Sequence, residues 1–122
     1  MAYKLILVLL PYLVHIPARS QSVATDLDLL LWNEYYKLQW DDFQGEPDHG
    51  SLGDAGAAVQ IKAKPYLIKK EIRYDVEALF NRRKSWARDT SPSLLAHEQL
   101  HFDIAELYAR KIRKKIRELQ KQ

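Results

Sequence analysis

The stretch Glu71-Ile72-Arg73-Tyr74-Asp75-Val76-Glu77-Ala78-Leu79-Phe80 alternates between polar and apolar side chains along most of its length. Ile72, Tyr74, Val76, Ala78 and Phe80 fall on one side of an extended chain, with Glu71, Arg73, Asp75 and Glu77 on the other. A period of two marks a half-buried strand with one wet face. Just upstream, Ala57, Val59, Ile61 and Ala63 alternate with Gln60, Lys62 and Lys64, which predicts a second strand that Pro65 should stop. Between Asp41 and Gly56 the chain reads as loop, because all four of its glycines fall there among Pro47 and several aspartates. Tyr36, Leu38 and Trp40 alternate with Lys37 and Gln39 and predict a short strand, whereas residues 23–34 carry no clear period and form a lead-in.

Downstream, residues 81–89 are polar apart from Trp86 and Ala87 and read as a connection. Thr90-Ser91-Pro92-Ser93 then supplies a helix cap followed by proline in the first turn. Neither glycine nor proline occurs from Ser93 to Gln122, so one helix of roughly 25–30 residues runs from about Pro92 to Leu119. Strands followed by a helix predict an α+β domain, a small antiparallel sheet packed on one long C-terminal helix.

The bulk numbers narrow the options. The chain has 122 residues, enough for one domain. Met1-Ala2-Tyr3-Lys4 precedes the apolar run from Leu5 to Leu10, Tyr12 to Ile16 remain largely apolar, and Ala18-Arg19-Ser20 follows. A basic start, a short apolar core and small residues predict a signal peptide over residues 1–20, leaving a single domain over residues 23–122. An apolar stretch of about a dozen residues is short of the roughly 20 that span a bilayer. A secreted or periplasmic protein, with no membrane contact after cleavage, is therefore expected. Cysteine is absent, which excludes disulfides, thiolate ligands and a lipid-modified leader. Without Lys4 and Arg19, the 19 bases become 17 against 16 acids, a net charge of +1. Seven of those bases gather at the end, from Arg110 to Lys121, where they complement a helix dipole. They carry too few aromatic residues to suggest nucleic acid as a partner.

Chemistry concentrates in Leu94-Leu95-Ala96-His97-Glu98-Gln99-Leu100-His101-Phe102-Asp103-Ile104, which contains H-E-x-x-H inside the predicted helix. Side chains four apart on a helix lie roughly 5–6 Å from each other at Cβ. Two imidazoles so placed can share one Zn2+ at roughly 2.0–2.1 Å. Glu98 lies about 100° around from His97 and can serve as general base toward a metal-bound water. Leu94, His97, Glu98, His101, Ile104, Ala105, Tyr108, Ile112, Ile116 and Leu119 share one sector of the helix, which is the face expected to meet the sheet. Three ionisable groups on an apolar stripe are costly to bury without a shared purpose. Asp103 and Glu106 lie roughly 140–200° from His101 and are expected to bond elsewhere, to Arg110 or to loop residues. His49, beside Asp48 and Asp54, reads first as part of a solvated turn.

These residues resemble a family of predicted secreted Zn-dependent proteases, filed among bacterial domains of unknown function. The matching blocks are Leu38-x-Trp40-x-Asp42-Phe43-x-Gly45, the pair Ser85-Trp86, and residues 94–106, together spanning about residues 36–115. The resemblance implies a zincin-like fold, zinc on His97 and His101, catalytic Glu98, and structural roles for the other two blocks. Members of that family usually continue past this helix to another block with acidic and histidine residues, while this sequence stops at Gln122. Three readings stay open at this level. The first is a zinc peptidase or amidase acting on a peptide or protein, its third ligand unknown and drawn from residues 41–54 or a partner chain. The second is a C-terminally truncated, catalytically silent relative. The third is a non-enzymatic exported binding module using the glycine- and aspartate-rich loop with Tyr35, Tyr36 and Trp40.

Overall fold

The computed structural model describes residues 26–121; the predicted leader, residues 1–20, lies outside the described residues. Its elements are β1 (Leu29–Leu31), β2 (Ala55–Gly56), β3 (Val59–Ile68), β4 (Glu71–Asn81), β5 (Trp86–Ala87) and the helix α1 (Pro92–Leu119). β4 takes the centre of a three-stranded antiparallel sheet in the order β1-β4-β3, and β2 pairs antiparallel with β5 as a separate ribbon. The architecture is thus α+β, small antiparallel sheets with one long C-terminal helix. Among the described residues, no helix is long and apolar enough to cross a membrane.

Val76, Ala78 and Phe80 are buried as the alternation predicts, and they join Leu38, Phe102, Ala105 and Ala109 in one core. Tyr74 and Ile72 share their face but remain about half exposed, because the β3–β4 hairpin projects beyond the core. α1 begins where expected: Ser91 Oγ accepts from the Leu94 amide and Pro92 follows the cap. This satisfies one of the amides that a helix start leaves unpaired.

Several expectations need correction. The stretch 36–40 is not a strand; it leads into a single 3-10 turn at Trp40–Asp42. Its hydrogen bonds go to side chains rather than to another strand. The Leu38 amide donates to Gln99 Oε1, while Asp42 Oδ2 accepts from the Gln39 amide and the Tyr36 hydroxyl. The bond to Asp42 and partial desolvation both raise the Tyr36 pKa above its ordinary value. The unpatterned lead-in contains β1, whose three leucines carry no alternation to betray it. Pro65 does not stop β3, which runs on to Ile68. It sits opposite Tyr74 on an edge strand, at a position whose missing N–H would point away from β4.

The helix face is the largest correction. The stripe turned inward is Leu95, Glu98, Phe102, Ala105, Ala109 and Ile116, rotated by about 70° from the expected sector. Ile104, Tyr108 and Ile112 are exposed, as are His97 and His101; of the ionisable trio only Glu98 is buried. Alanine decides this rotation. Ala105 and Ala109 let the helix backbone lie close to Val76 and Ala78, an approach that Ile104 and Tyr108 would prevent.

Hydrogen bonds and one ion pair lock the loop. Gly45 donates its amide to Ser85 O at 2.7 Å, and the neighbouring Gln44 amide donates to Arg82 O. Ser85 Oγ accepts from the Ala58 amide and donates to Asn81 O, while Arg82 pairs with Asp42 at 3.1 Å. The Asp42–Gly45 and Ser85–Trp86 blocks therefore clasp each other. A Cβ at Gly45 would stand 2.6 Å from Arg83 O and 2.9 Å from Ser85 O, both backbone atoms that cannot swing aside. Gly45→Ala is expected to cost about 3 kcal/mol by overpacking, read as a lowered urea midpoint. The hairpin turn offers the opposite change. Lys69 and Lys70 both hold positive φ, 49° and 67°, where a two-residue turn favours Asn-Gly. The double substitution Lys69→Asn, Lys70→Gly should stabilise the protein by about 1 kcal/mol, visible as a raised Tm.

Candidate metal centre

His97 and His101 lie one helical turn apart near the N-terminal end of α1, and their rings meet edge to face with centroids 4.8 Å apart. The two Nε2 atoms are 3.1 Å apart. Two nitrogens held at about 2.05 Å on a tetrahedral zinc stand roughly 3.3 Å apart, so the pair is close to the spacing of a chelate. Without a metal, this contact requires one ring to carry its proton on Nε2 and the other on Nδ1. His97, Glu98 and His101 bring one ligand atom each to within 4.8 Å of one another. Among the described residues no other histidine or acidic side chain joins them.

Glu98 differs from the histidines in every physical respect. It is 4% exposed, and its Oε2 accepts the Ala57 amide proton at 2.9 Å. A buried carboxylate needs such a donor, since leaving it unpaired would cost several kcal/mol. Ala57 follows directly on β2, and a Cβ on the preceding Gly56 would meet the Trp86 indole at 3.0 Å. The β2–β5 ribbon is thus pressed together at Trp86 and presents Ala57 to the carboxylate. Nothing in the sequence pairs Ala57 with Glu98, because the bond joins a backbone amide to a side chain 41 residues away.

The other acids lie where the facing angles place them, away from the histidines. Asp103 Oδ1 accepts from the Trp32 indole N–H and from Gln99 Nε2, each at 2.8 Å. Glu106 Oε1 accepts from Arg110 at 2.9 Å and from Arg113 at 2.5 Å. Gln99, unmarked by the motif, bridges Asp103 to the Leu38 amide and so ties the helix to the segment before the 3-10 turn. His49 stays within its turn: the Gly50 amide donates to Asp48 Oδ1, and Arg88 donates to the carbonyls of Asp48, Ser51 and Gly53. The loop 41–54 therefore contributes no residue to the three-residue group.

No family model, curated protein or solved structure matches the chain. What bears on function is thus the group itself, a possible metal-binding set of His97, Glu98 and His101.

His97→Ala is expected to lower zinc affinity at least a hundredfold by isothermal titration, because one imidazole cannot chelate. Asp103→Ala should leave zinc affinity within about twofold, yet destabilise the fold by about 1–3 kcal/mol through the orphaned Trp32 and Gln99 donors. Equal zinc loss in both variants would place Asp103 in the ligand set.

Proposed function

We propose that this chain is a secreted zinc-dependent hydrolase of the peptidase type, acting on a peptide or protein, with His97 and His101 holding the metal and Glu98 as general base. The observation that carries the reading is the 3.1 Å approach of the two Nε2 atoms with the buried Glu98 carboxylate beside them. The resemblance to predicted secreted Zn-dependent proteases, and their zincin-like arrangement of the same motif, supports it.

Bound at the two imidazoles, zinc supplies Lewis acidity and a water acidified toward neutral pH. The chain's own groups divide the remaining work. His97 and His101 are exposed at the end of a long helix, so they can meet a metal and a substrate without rearrangement of the core. Glu98 keeps Oε2 on the Ala57 amide, which fixes the carboxylate plane and leaves the other oxygen to take a proton from an attacking water. The spread of up to 4.8 Å within the trio reaches past the roughly 4.2 Å that two donors on one zinc can span, which suits a base reached through a water. A catalytic zinc site requires a third protein ligand beside the open water position. On this reading that donor comes from a partner chain.

The absence of a fourth side chain from the group, among the described residues, favours one second reading: a metal-binding but catalytically silent protein. One experiment separates the two. Wild type and Glu98→Gln are loaded with zinc, and hydrolysis of a denatured protein substrate is followed by mass spectrometry. Glutamine still accepts the Ala57 amide bond but cannot take a proton, so zinc should remain while turnover falls about 10²–10⁴-fold. Zinc-loaded wild type without turnover would support the silent protein, and loss of zinc from Glu98→Gln would make Glu98 a ligand.

A further inference from the structure

At the far end of α1, about 30 Å along the axis from His97, the helix and the β3–β4 hairpin enclose a cleft of about 250 Å³. It is lined by Tyr66, Arg73, Tyr74, Arg113, Ile116, Arg117 and Gln120, and no carboxylate is among them. Two of the three guanidinium groups are already positioned. Arg73 is held between Glu71 at 2.6 Å and Gln120 at 3.2 Å, and Arg113 between Glu106 and the Val76 carbonyl, both at 2.5 Å. Each guanidinium has five N–H donors, so both retain unused ones. Arg117 makes no ion pair or side-chain hydrogen bond among the described residues. The helix dipole explains bases radiating into solvent from the last turns. It does not explain why Arg73 is brought from the hairpin to face Arg113 and Arg117.

We propose that this cleft binds a small phosphate monoester, the phosphate held by Arg117 with the spare donors of Arg73 and Arg113. Arginine matches phosphate geometry through paired N–H donors, and with Arg73 paired to Glu71 and Arg113 to Glu106, Arg117 leaves one charge unneutralised until an anion arrives. Size narrows the class. A cleft of about 250 Å³ is below the roughly 300–1,000 Å³ of drug-sized sites, too small for a dinucleotide and adequate for a phosphate bearing one ring. Tyr66 and Tyr74 supply the surface for that ring, both about two-fifths exposed, and Tyr66 also borders an apolar groove with Pro65, Leu67 and Ile72.

Titrations with inorganic phosphate and with phenyl phosphate, at constant ionic strength and followed by amide NMR shifts, test the site. Saturable shifts are expected at residues 66, 73, 74, 113 and 117, with phenyl phosphate the tighter of the two. Arg117→Gln should weaken phenyl phosphate about tenfold, the loss of one charged hydrogen-bond partner. Lys114→Gln removes the same charge from outside the cleft and should change affinity less than twofold. Arg117 is an unbonded surface side chain, so its replacement leaves the fold intact to be read in the same spectra. Equal weakening by the two variants would reduce the effect to diffuse charge and overturn the site. So would shifts that fail to saturate, or phenyl phosphate binding no tighter than inorganic phosphate.

Discussion

The close approach of α1 to β4 through two alanines sets the rotation of the helix, and most of the other features follow from that rotation. Ala105 and Ala109 bring no side chain that would hold the helix off Val76 and Ala78, and Phe102 fills the space beside Phe80 at a centroid separation of 5.8 Å. Once that stripe faces inward, Glu98 must face inward as well, one turn before Phe102. His97 and His101 are then carried to the exposed flank by the same geometry. The helix cannot bury its histidines without lifting its alanines from the sheet. A carboxylate held in the core beside two solvent-facing imidazoles is therefore a consequence of backbone packing, not of local propensity.

Polar bonds from the helix finish what apolar packing begins. Glu98 takes the Ala57 amide, Gln99 takes the Leu38 amide, and Asp103 takes the Trp32 indole. Three consecutive segments of a chain with little regular structure before β3 are thus each fastened to one turn of α1. Because each bond satisfies a donor that would otherwise be desolvated, the cost of losing one exceeds its net worth when formed. The chemistry of the site and the order of the loops share the same stretch of helix.

What the sequence discloses follows from which interactions are periodic. The strand 71–80 was legible because one wet face forces alternation, and the helix because Ser91, Pro92 and the long run without glycine mark its limits. The His97-Glu98-His101 group is legible because its residues lie on one element. The sequence points to the wrong helix face because leucine, isoleucine and tyrosine outweigh alanine on any hydropathy count, although alanine makes the closer contact here. β1 and the turn at 36–42 were hidden for a different reason: their partners are an amide or a side chain far away in sequence, which leaves no period to read. The clasp between Gly45 and Ser85 is hidden as well, because its bond joins backbone atoms 40 residues apart and leaves no period to read.

The margins of the sheet carry a further consequence. β1 pairs only with the last three residues of β4, and Trp32 extends this by one bond to Ala78 O. Beyond it, where a fourth strand would continue, Arg113 donates to Val76 O and Gln120 donates to Ile72 O. On the opposite margin, Pro65 interrupts the outward row of amides along β3. An unpaired edge with Leu67, Ile72 and Tyr74 showing would otherwise template intermolecular β-sheet growth. Helix side chains and one proline deny an incoming strand its ladder on each side. The far end of the long C-terminal helix thereby occupies backbone acceptors of β4 that an incoming strand would need.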